Sequence, residues 1–204
     1  MTTGERRPAH RPSRRGDVID AAMSLLASRP SEDVTVTDIA DACGMTPAAI
    51  YYHFAGKDDI LLEGLRSFGT LMLAELRLHA DPTLDVSNDP GAVLADLLQW
   101  IDQNRASARF YFINSAGLSE SIEALRRAIR IELLETMADL ARAANPAMRS
   151  AEAGVTATGM LAALENSAVS MLSQDEIWLS LGRRQFLVEF RRIIDRLAGV
   201  RTTA

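Results

Sequence analysis

Residues 35–57 constrain the fold of this chain more than any other segment. Thr35 can cap a helix by accepting a hydrogen bond from a backbone N–H three residues later. Gly44 follows where that helix must end and the chain must reverse, a position that often requires positive φ. Thr46 and Pro47 then suit the N-cap and the first residue of a second, short helix. The segment therefore predicts two helices joined by a tight turn.

The second helix has one apolar face and one face of a different character. Ile50 and Phe54 are four residues apart, which places them on the same face and predicts that they pack into a core. The other faces carry Thr46, Ala48, Tyr51, Tyr52 and His53. A helix-turn-helix that reads DNA needs this arrangement, because its small N-terminal end enters the major groove while donors beside it reach phosphates.

The sequence Ile-Tyr-Tyr-His-Phe at 50–54, followed by Lys57, resembles the recognition helix of the tetracycline-repressor (TetR) family of bacterial regulators. Residues 18–26 are similar to the first helix of that family and carry a helical stripe of Ile19, Ala22, Met23 and Leu26. In all, residues 15 to about 62 match at the level of motifs. The resemblance implies an all-α fold, with an N-terminal three-helix helix-turn-helix DNA-binding domain and a C-terminal helical ligand-binding and dimerisation domain.

The second helix and its flanks are expected to contact DNA. The predicted DNA-binding residues are Thr35, Thr46, Pro47, Ala48, Tyr51, Tyr52, His53, Lys57, Arg14 and Arg15. Thr46, Pro47 and Ala48 are assigned to the groove, where small side chains permit close approach and can touch a thymine methyl group.

The larger side chains are assigned to the DNA backbone. Tyr51, His53 and Lys57 are predicted to contact phosphates, and Tyr52 suits either phosphate or base. The alternatives are that Tyr51 is a half-buried core residue and that His53 is an ordinary surface residue.

The distribution of charge separates the start of the chain from the rest. The formal net charge is −5, which is the wrong sign for a protein that coats DNA without discrimination. Within the first fifteen residues, Glu5 is opposed by Arg6, Arg7, Arg11, Arg14 and Arg15. Residues 1–14 are therefore predicted to form a basic flexible arm that reaches phosphate or a minor groove. The alternative is a disordered tail that only aids solubility.

The length of 204 residues allows two domains, which we place at residues 15–60 for DNA binding and 61–204 for effector binding and dimerisation. No uncharged run approaches the roughly 20 residues of a membrane helix, and the arginine-rich start lacks an apolar signal core. A cytoplasmic protein with no membrane partner is expected. Cys43, the single cysteine, excludes an internal disulfide and is interpreted as a buried helix residue, with a redox sensor as the alternative.

Beyond residue 57 the pattern predicts helices throughout. They are expected over residues 58–79, from Pro90 after a polar loop at 81–88, over 119–144, and from Asn145-Pro146 to about Leu172.

Two late segments suit contact with another helical surface, and each can instead pack within one subunit. They contain Gly154, Ala157, Gly159, Phe186, Phe190, Ile193 and Leu197, which are small or recur at near-heptad spacing. Members of the TetR family dimerise through their last two long helices, so the resemblance implies a homodimer with these residues at its interface.

The resemblance also implies a small-molecule pocket within the middle helices. The candidate lining residues are Phe68, Met72, Trp100, Phe110, Phe112, Asn114, Met137, Met160 and Glu165. The alternative for each aromatic residue or methionine is ordinary core packing. A pocket lined in this way favours an apolar or amphipathic effector of unknown identity.

An enzyme is the rival class. His10, His53 and His79 lack metal-ligand spacing, and the sequence contains no nucleophile elbow or phosphate-binding glycine loop. We therefore expect no catalysis, no metal and no cofactor. The function predicted is a homodimeric repressor that binds double-stranded operator DNA and is released by an effector. The alternatives are an activator, or a helix-turn-helix DNA-binding protein without a small-molecule effector.

Overall fold

The computed structural model describes residues 14–80 and 89–200, and within these ranges the regular elements are all helical. The α-helices are α1 Arg14–Leu26, α2 Val36–Ala42, α3 Pro47–His53, α4 Lys57–His79, α5 Pro90–Gln103, α6 Arg105–Arg109, α7 Glu120–Ala144, α8 Ser150–Ser173 and α9 Glu176–Leu197. A 3-10 turn spans Ser31–Asp33 and a π-helical turn spans Phe110–Asn114. The predicted all-α fold is confirmed. The predicted loop at 81–88 and residues 1–13 of the predicted arm lie outside the described residues, and Arg14 is the first residue of α1.

The local signals around α2 and α3 act as the sequence predicts. Thr35 accepts a hydrogen bond from the backbone N–H of Asp38 at 3.1 Å, and the Asp38 carboxylate accepts one from the Thr35 N–H at 2.8 Å. Gly44 has φ of +64° in the turn. Thr46 caps α3 through the backbone N–H of Ala49 at 3.2 Å, with Pro47 as first helical residue.

The N-terminal unit, α1 to α3, packs on the first part of α4. In α1 the buried residues are Val18, Ala22, Met23 and Leu26. Ile19 is only half-buried, so the predicted stripe is shifted, because α1 contacts both α2 and α4. Ile50 of α3 and Phe54, the residue after α3, are both buried, which confirms their assignment to the core.

Helix α4 connects the N-terminal unit to the body, α5 to α9. Its buried residues are Ile60, Leu61, Gly64, Leu65, Phe68, Gly69, Met72, Leu73 and Leu76. They recur at three- and four-residue spacing, so one face of this helix is shared between the two parts. The start of α4 contacts α1, and the helix also packs on α5 and α7.

A pair of carboxylates joins the start of α5 to the end of α9. Asp195 is buried and accepts a hydrogen bond from the Gly91 N–H at 2.9 Å. A side chain at Gly91 would put its first carbon 2.6 Å from the Arg191 carbonyl oxygen, so this close approach requires glycine. Burial and the neighbouring Asp89 raise the pKa of Asp195 to about 6. Burial opposes ionisation of Asp89 too, but hydrogen bonds from Asp195 and Arg191 lower its pKa overall.

Helices α8 and α9 depart from the sequence prediction in two places. Helix α8 begins at Ser150 rather than at Asn145, because residues 145–148 close a turn in which the Met148 N–H donates to the Asn145 carbonyl oxygen. Helix α9 is kinked at Gly182, which has φ of +71° and ψ of 159°. This conformation favours glycine. Within the described ranges, no helix is long and apolar enough to cross a membrane.

Candidate functional site

Helix α3 presents aromatic side chains to solvent from a short, firmly anchored segment. Tyr52 is 86% exposed and Tyr51 is 57% exposed, whereas Ile50 is fully buried. The ring of Tyr52 meets that of His53 edge to face, with centroids 5.2 Å apart. Exposed large aromatic side chains on a rigid helix are typical of a binding surface.

The small residues predicted to enter a groove lie at the N-terminal end of the same surface. Thr46 and Ala48 are exposed, and Pro47 is half-buried. Nearby, Thr35 is also exposed, but its hydroxyl donates to the Asp38 carboxylate at 2.7 Å. Hydrogen bonding from Thr35 lowers the pKa of Asp38, which keeps that capping carboxylate ionised. The groove residues and the aromatic residues thus form one continuous face of α3.

Arg15 contacts three parts of the helix-turn-helix at once. Its Nε donates to Glu63 Oε1 at 2.8 Å, and its Nη1 donates to the carbonyl oxygen of His53 at the end of α3. Its guanidinium also lies over the Phe54 ring, 4.2 Å from the centroid. Arg15 was predicted to contact DNA, and in the protein its guanidinium is bound to the end of α3 and to α4 while its side chain stays 41% exposed. Arg14 lies at the exposed start of α1.

Lys57 is engaged within the protein as well. Its Nζ donates to the carbonyl oxygens of Ser31 at 2.6 Å and Val34 at 3.1 Å. These two bonds hold the segment that leads into α2. A lysine ammonium has three N–H donors, so one remains for a further acceptor.

Comparisons with known proteins agree with this geometry. Residues 18–63 match the family model described as "Bacterial regulatory proteins, tetR family". The HTH-type transcriptional repressor KstR2 of Mycobacterium tuberculosis is 38% identical over 71 residues, which is 35% of this chain and 36% of that protein. The chain therefore spans about a third of the length of this curated relative. This N-terminal segment, residues 18–63, therefore belongs to the TetR family.

Solved structures share the fold over nearly the whole chain. A bacterial regulatory protein in the TetR family from Rhodococcus RHA1 has a TM-score of 0.72 at 18% identity, covering 95% of this chain and 100% of that one. The transcriptional regulator FadR of Bacillus subtilis, solved in complex with stearoyl-CoA, has a TM-score of 0.72 at 11% identity, covering 91% and 98%. At these identities the likeness shows the shared fold.

The π-helical turn ties the N-terminal unit to the body. Arg109, just before the turn, donates from Nε to the Ala27 carbonyl oxygen at 2.7 Å and from Nη1 to the Leu172 carbonyl oxygen at 2.6 Å. Asn114, at the end of the turn, donates to the Leu26 carbonyl oxygen at 2.6 Å. These carbonyl groups lie at the C-terminal ends of α1 and α8, where helices leave such groups unpaired. We call Arg109 and Asn114 the clamp.

The predicted effector residues are divided between the core and two cavities. Phe68, Met72, Phe110, Met137 and Met160 are buried in the core. Trp100 is half-buried and packs on Phe68 with ring centroids 5.4 Å apart. Asn114 belongs to the clamp and lines a cavity of about 320 Å³ beside it. Phe112 and Glu165 line a separate cavity of about 250 Å³ that lies between the π-helical turn, α7 and α8.

Sequence reasoning missed most of this cavity, which we call the arginine cavity. Its other lining residues are Tyr111, Arg126, Arg130, Asn166 and Val169. A signal was present, because Arg126 lies four residues after the buried Ile122 and three before the buried Ile129. An arginine on the core side of an amphipathic helix marks a polar site or a buried ion pair.

The predicted dimer residues also divide. Ala157 is fully buried and Phe190 is 3% exposed, so both pack within one protomer. Gly154 is exposed, Ile193 is 48% exposed and Leu197 is 41% exposed. Half-buried Gly159 lies under Leu197, since a side chain there would begin 3.7 Å from its Cδ2.

An apolar groove of about 290 Å³ runs between α8 and α9. It is lined by Ala163, Asn166, Ser167, Ile177, Leu181, Phe186, Glu189, Phe190 and Ile193. Further exposed apolar residues on these helices are Val155, Val169, Leu179 and Val188. Together they make an unusually apolar surface for a lone protomer. Across residues 14–80 and 89–200, no group of three or more His, Cys, Asp or Glu residues is arranged to hold a metal ion.

Proposed function

We propose that this protein is a homodimeric transcriptional repressor that binds a palindromic operator and is released by a small-molecule effector. The observation that carries the proposal is the α3 face, where Tyr51 and Tyr52 project from a helix anchored by the buried Ile50. A short helix with this division of faces suits the major groove of B-DNA. The matched family and the KstR2 relative support a role in transcription regulation. Such a regulator would act in the cytoplasm, where the operator is.

The roles of the α3 residues follow from their positions. Thr46, Pro47 and Ala48 would approach base edges, since they form the N-terminal end of the helix. The Tyr51 hydroxyl would donate a hydrogen bond to a phosphate, and the Tyr52 hydroxyl would contact either a phosphate or a base. Thr35, His53, Lys57 and Arg14 would add contacts at the edge of the same surface.

A dimer is supported by the apolar surface of α8 and α9. Ile177, Leu181 and Ile193 are each more than 40% exposed in the protomer and border the same groove. Two-fold pairing of this surface would bury these side chains and place two α3 helices on one side of the duplex. Operator half-sites about 34 Å apart, one helical turn, would then be read together.

Response to an effector is supported by the connection between the arginine cavity and the clamp. Tyr111 and Phe112 line the cavity, while Arg109 and Asn114 at either end of the same turn hold α1. A ligand that displaces the turn would therefore alter how the N-terminal unit is held. The FadR structure with stearoyl-CoA shows a protein of this fold with a bound ligand. Ligand and operator would then weaken each other reciprocally, with coupling of about 1–3 kcal/mol in typical systems.

Selection of random duplex DNA by the purified protein tests the proposal. The selected duplex is then titrated by fluorescence anisotropy at two salt concentrations. An inverted repeat with half-sites about one helical turn apart is expected. Loss of affinity with salt that is equal for every sequence would contradict sequence-specific binding.

Two alternatives remain distinguishable. A DNA-binding protein without an effector would give the same selected duplex but no ligand that changes operator affinity. An activator would raise transcription from a promoter carrying the selected site, whereas a repressor lowers it. An enzyme is not proposed, because the α3 face and the arginine cavity together supply DNA-binding and ligand-binding groups rather than a nucleophile beside a base.

A further inference from the structure

The walls of the arginine cavity supply more positive than negative charge. Arg126 and Arg130 contribute two guanidinium groups, and Glu165 contributes one carboxylate. Arg130 and Glu165 are ion-paired and remain 41% and 34% exposed. The Glu165 carboxylate thus already occupies Arg130. Because both side chains are partly exposed to solvent, another carboxylate can replace it.

Arg126 is paired mainly with neutral groups. Its Nη1 donates to the Tyr111 carbonyl oxygen and, at 2.6 Å, to the Ser115 hydroxyl. Its guanidinium lies 5.3 Å from the centre of the Tyr111 ring. The carboxylate paired with it, Glu123, is 3.8 Å away, which is beyond hydrogen-bonding distance. A partly buried guanidinium in these surroundings favours an additional anion.

The remaining polar groups of the cavity can also donate. Burial raises the pKa of Tyr111 to about 12, and the charges of Arg126, Glu165 and Arg130 act on this group. The Tyr111 hydroxyl therefore stays protonated at neutral pH and remains a hydrogen-bond donor. Asn166 also lies at the cavity wall, where its amide nitrogen donates to the Ala162 carbonyl oxygen at 2.8 Å and keeps a second N–H. With two guanidinium groups and one carboxylate in its wall, the cavity favours an anionic ligand over a cationic one.

The size and the apolar wall limit the rest of the ligand. A volume of about 250 Å³ is below the range usual for drug-sized ligands. Phe112 offers a ring that is held edge to face against Tyr111, with centroids 4.8 Å apart. Val169 adds an exposed aliphatic contact. A short apolar body with one charged end matches this shape.

We propose that the arginine cavity binds a small organic carboxylate, held by Arg126 and Arg130, with its apolar body against Phe112. Two parallel N–H···O bonds from a guanidinium match the planar carboxylate. The ligand carboxylate takes the place of Glu165 on Arg130. The apolar or amphipathic effector expected from the sequence is thereby assigned to one chemical class, a small carboxylate. That this ligand regulates DNA binding rests on the proposed function.

The test measures binding of matched probes to the full-length protein by isothermal titration calorimetry. The probes are two sets with equal carbon skeletons: hexanoate, hexanamide and hexylammonium, and phenylacetate, phenylacetamide and phenethylammonium. We expect at least one carboxylate to bind about tenfold more tightly than its amide, and the ammonium probes not to compete. Equal or tighter binding of an amide or an ammonium probe, or no carboxylate binding at about 10 mM, would overturn the proposal.

Variants on neighbouring positions locate the site. Arg126→Gln and Arg130→Gln should each weaken carboxylate binding by about tenfold. Glu165→Gln should tighten it, because the ligand no longer competes with a resident carboxylate. Arg127→Gln is the matched control, since Arg127 is exposed on the same helix and does not line the cavity. Circular dichroism melting confirms that each variant is folded. Weaker binding in Glu165→Gln, or an equal loss in Arg127→Gln, would place the anion elsewhere.

Operator binding separates this proposal from the proposed function. A carboxylate that binds in an Arg126-dependent way but leaves operator affinity unchanged would confirm the site and refute its role in regulation. Failure of the ligand-free protein to select any operator would refute the regulator while leaving the carboxylate measurement valid.

Discussion

Removing the hydrogen bonds of the clamp should lower the free energy of unfolding of the N-terminal unit. Arg109→Met keeps an apolar stem and removes two charge-assisted hydrogen bonds, to Ala27 and Leu172. Hydrogen bonds to charged groups contribute about 1.5–3 kcal/mol each, and both side-chain contacts are only partly buried. Taking the lower value for each bond gives a loss of about 3 kcal/mol in the free energy of unfolding.

Asn114→Ala removes one neutral hydrogen bond, to the Leu26 carbonyl oxygen. The expected loss is about 1 kcal/mol. Because Arg109 and Asn114 act on consecutive carbonyl groups at the end of α1, their effects should not be strictly additive. A double-mutant cycle would measure the coupling between them.

Urea denaturation followed by circular dichroism measures these losses, provided that the m-value is unchanged. Hydrogen exchange then locates them, since amides of α1 and the 3-10 turn should exchange faster while those of α7 stay protected. Arg142→Met is the control, because Arg142 is exposed and pairs with Asp139 one turn away on the same helix. A loss in Arg109→Met no larger than the control, within about 0.5 kcal/mol, would refute the clamp.

Three further predictions test other parts of the structure. If Arg15 positions α3, Glu63→Gln should weaken operator binding without changing its salt dependence. If Arg15 instead contacts phosphate, the change would free it and operator affinity would rise. Anisotropy titration at several salt concentrations separates the two outcomes. Ile193→Glu should convert the proposed dimer to monomers in analytical ultracentrifugation. Ile131→Glu is the control and should leave the dimer intact, because Ile131 is 57% exposed on α7 and can carry a charge without disturbing the fold. A dimer that survives Ile193→Glu would place the interface elsewhere. The raised pKa of Asp195, about 6, means that its proton stabilises the fold at low pH and that this stabilisation is lost as pH rises from about 4 through 6. Asp195→Asn should remove that decline in urea titrations across the interval, and an unchanged slope would assign it to other groups.

The helix-turn-helix could be predicted in detail because its signals are local. The caps at Thr35 and Thr46 and the positive φ of Gly44 depend on atoms no more than about four residues apart. Helical spacing likewise identified Ile50 and Phe54 as core residues, because apolar residues four apart lie on the same face, and that face packs inward. The resemblance to the TetR family rests on this same segment.

The destinations of charged side chains could not be predicted in this way. Arg15 meets Glu63 across 48 positions of sequence, and Lys57 meets Ser31 across 26, so neither pairing has a local signal. Sequence reasoning predicted DNA contacts for both side chains but could not predict these hydrogen bonds within the protein. For Arg126, its place on the buried side of α7 was readable, but the aromatic wall it faces comes from the π-helical turn.

The sequence alone determined the helical fold and the face that α3 presents, because backbone hydrogen bonding and amphipathic spacing act over single turns of helix. Tertiary packing alone decided which residues of α8 and α9 face solvent. Near-heptad spacing marks Phe190 and Ile193 as one apolar stripe, yet Phe190 is buried in the protomer and Ile193 is half exposed. The division arises because the stripe is wider than the contact with neighbouring helices, and only the positions of those neighbours show which edge is left uncovered.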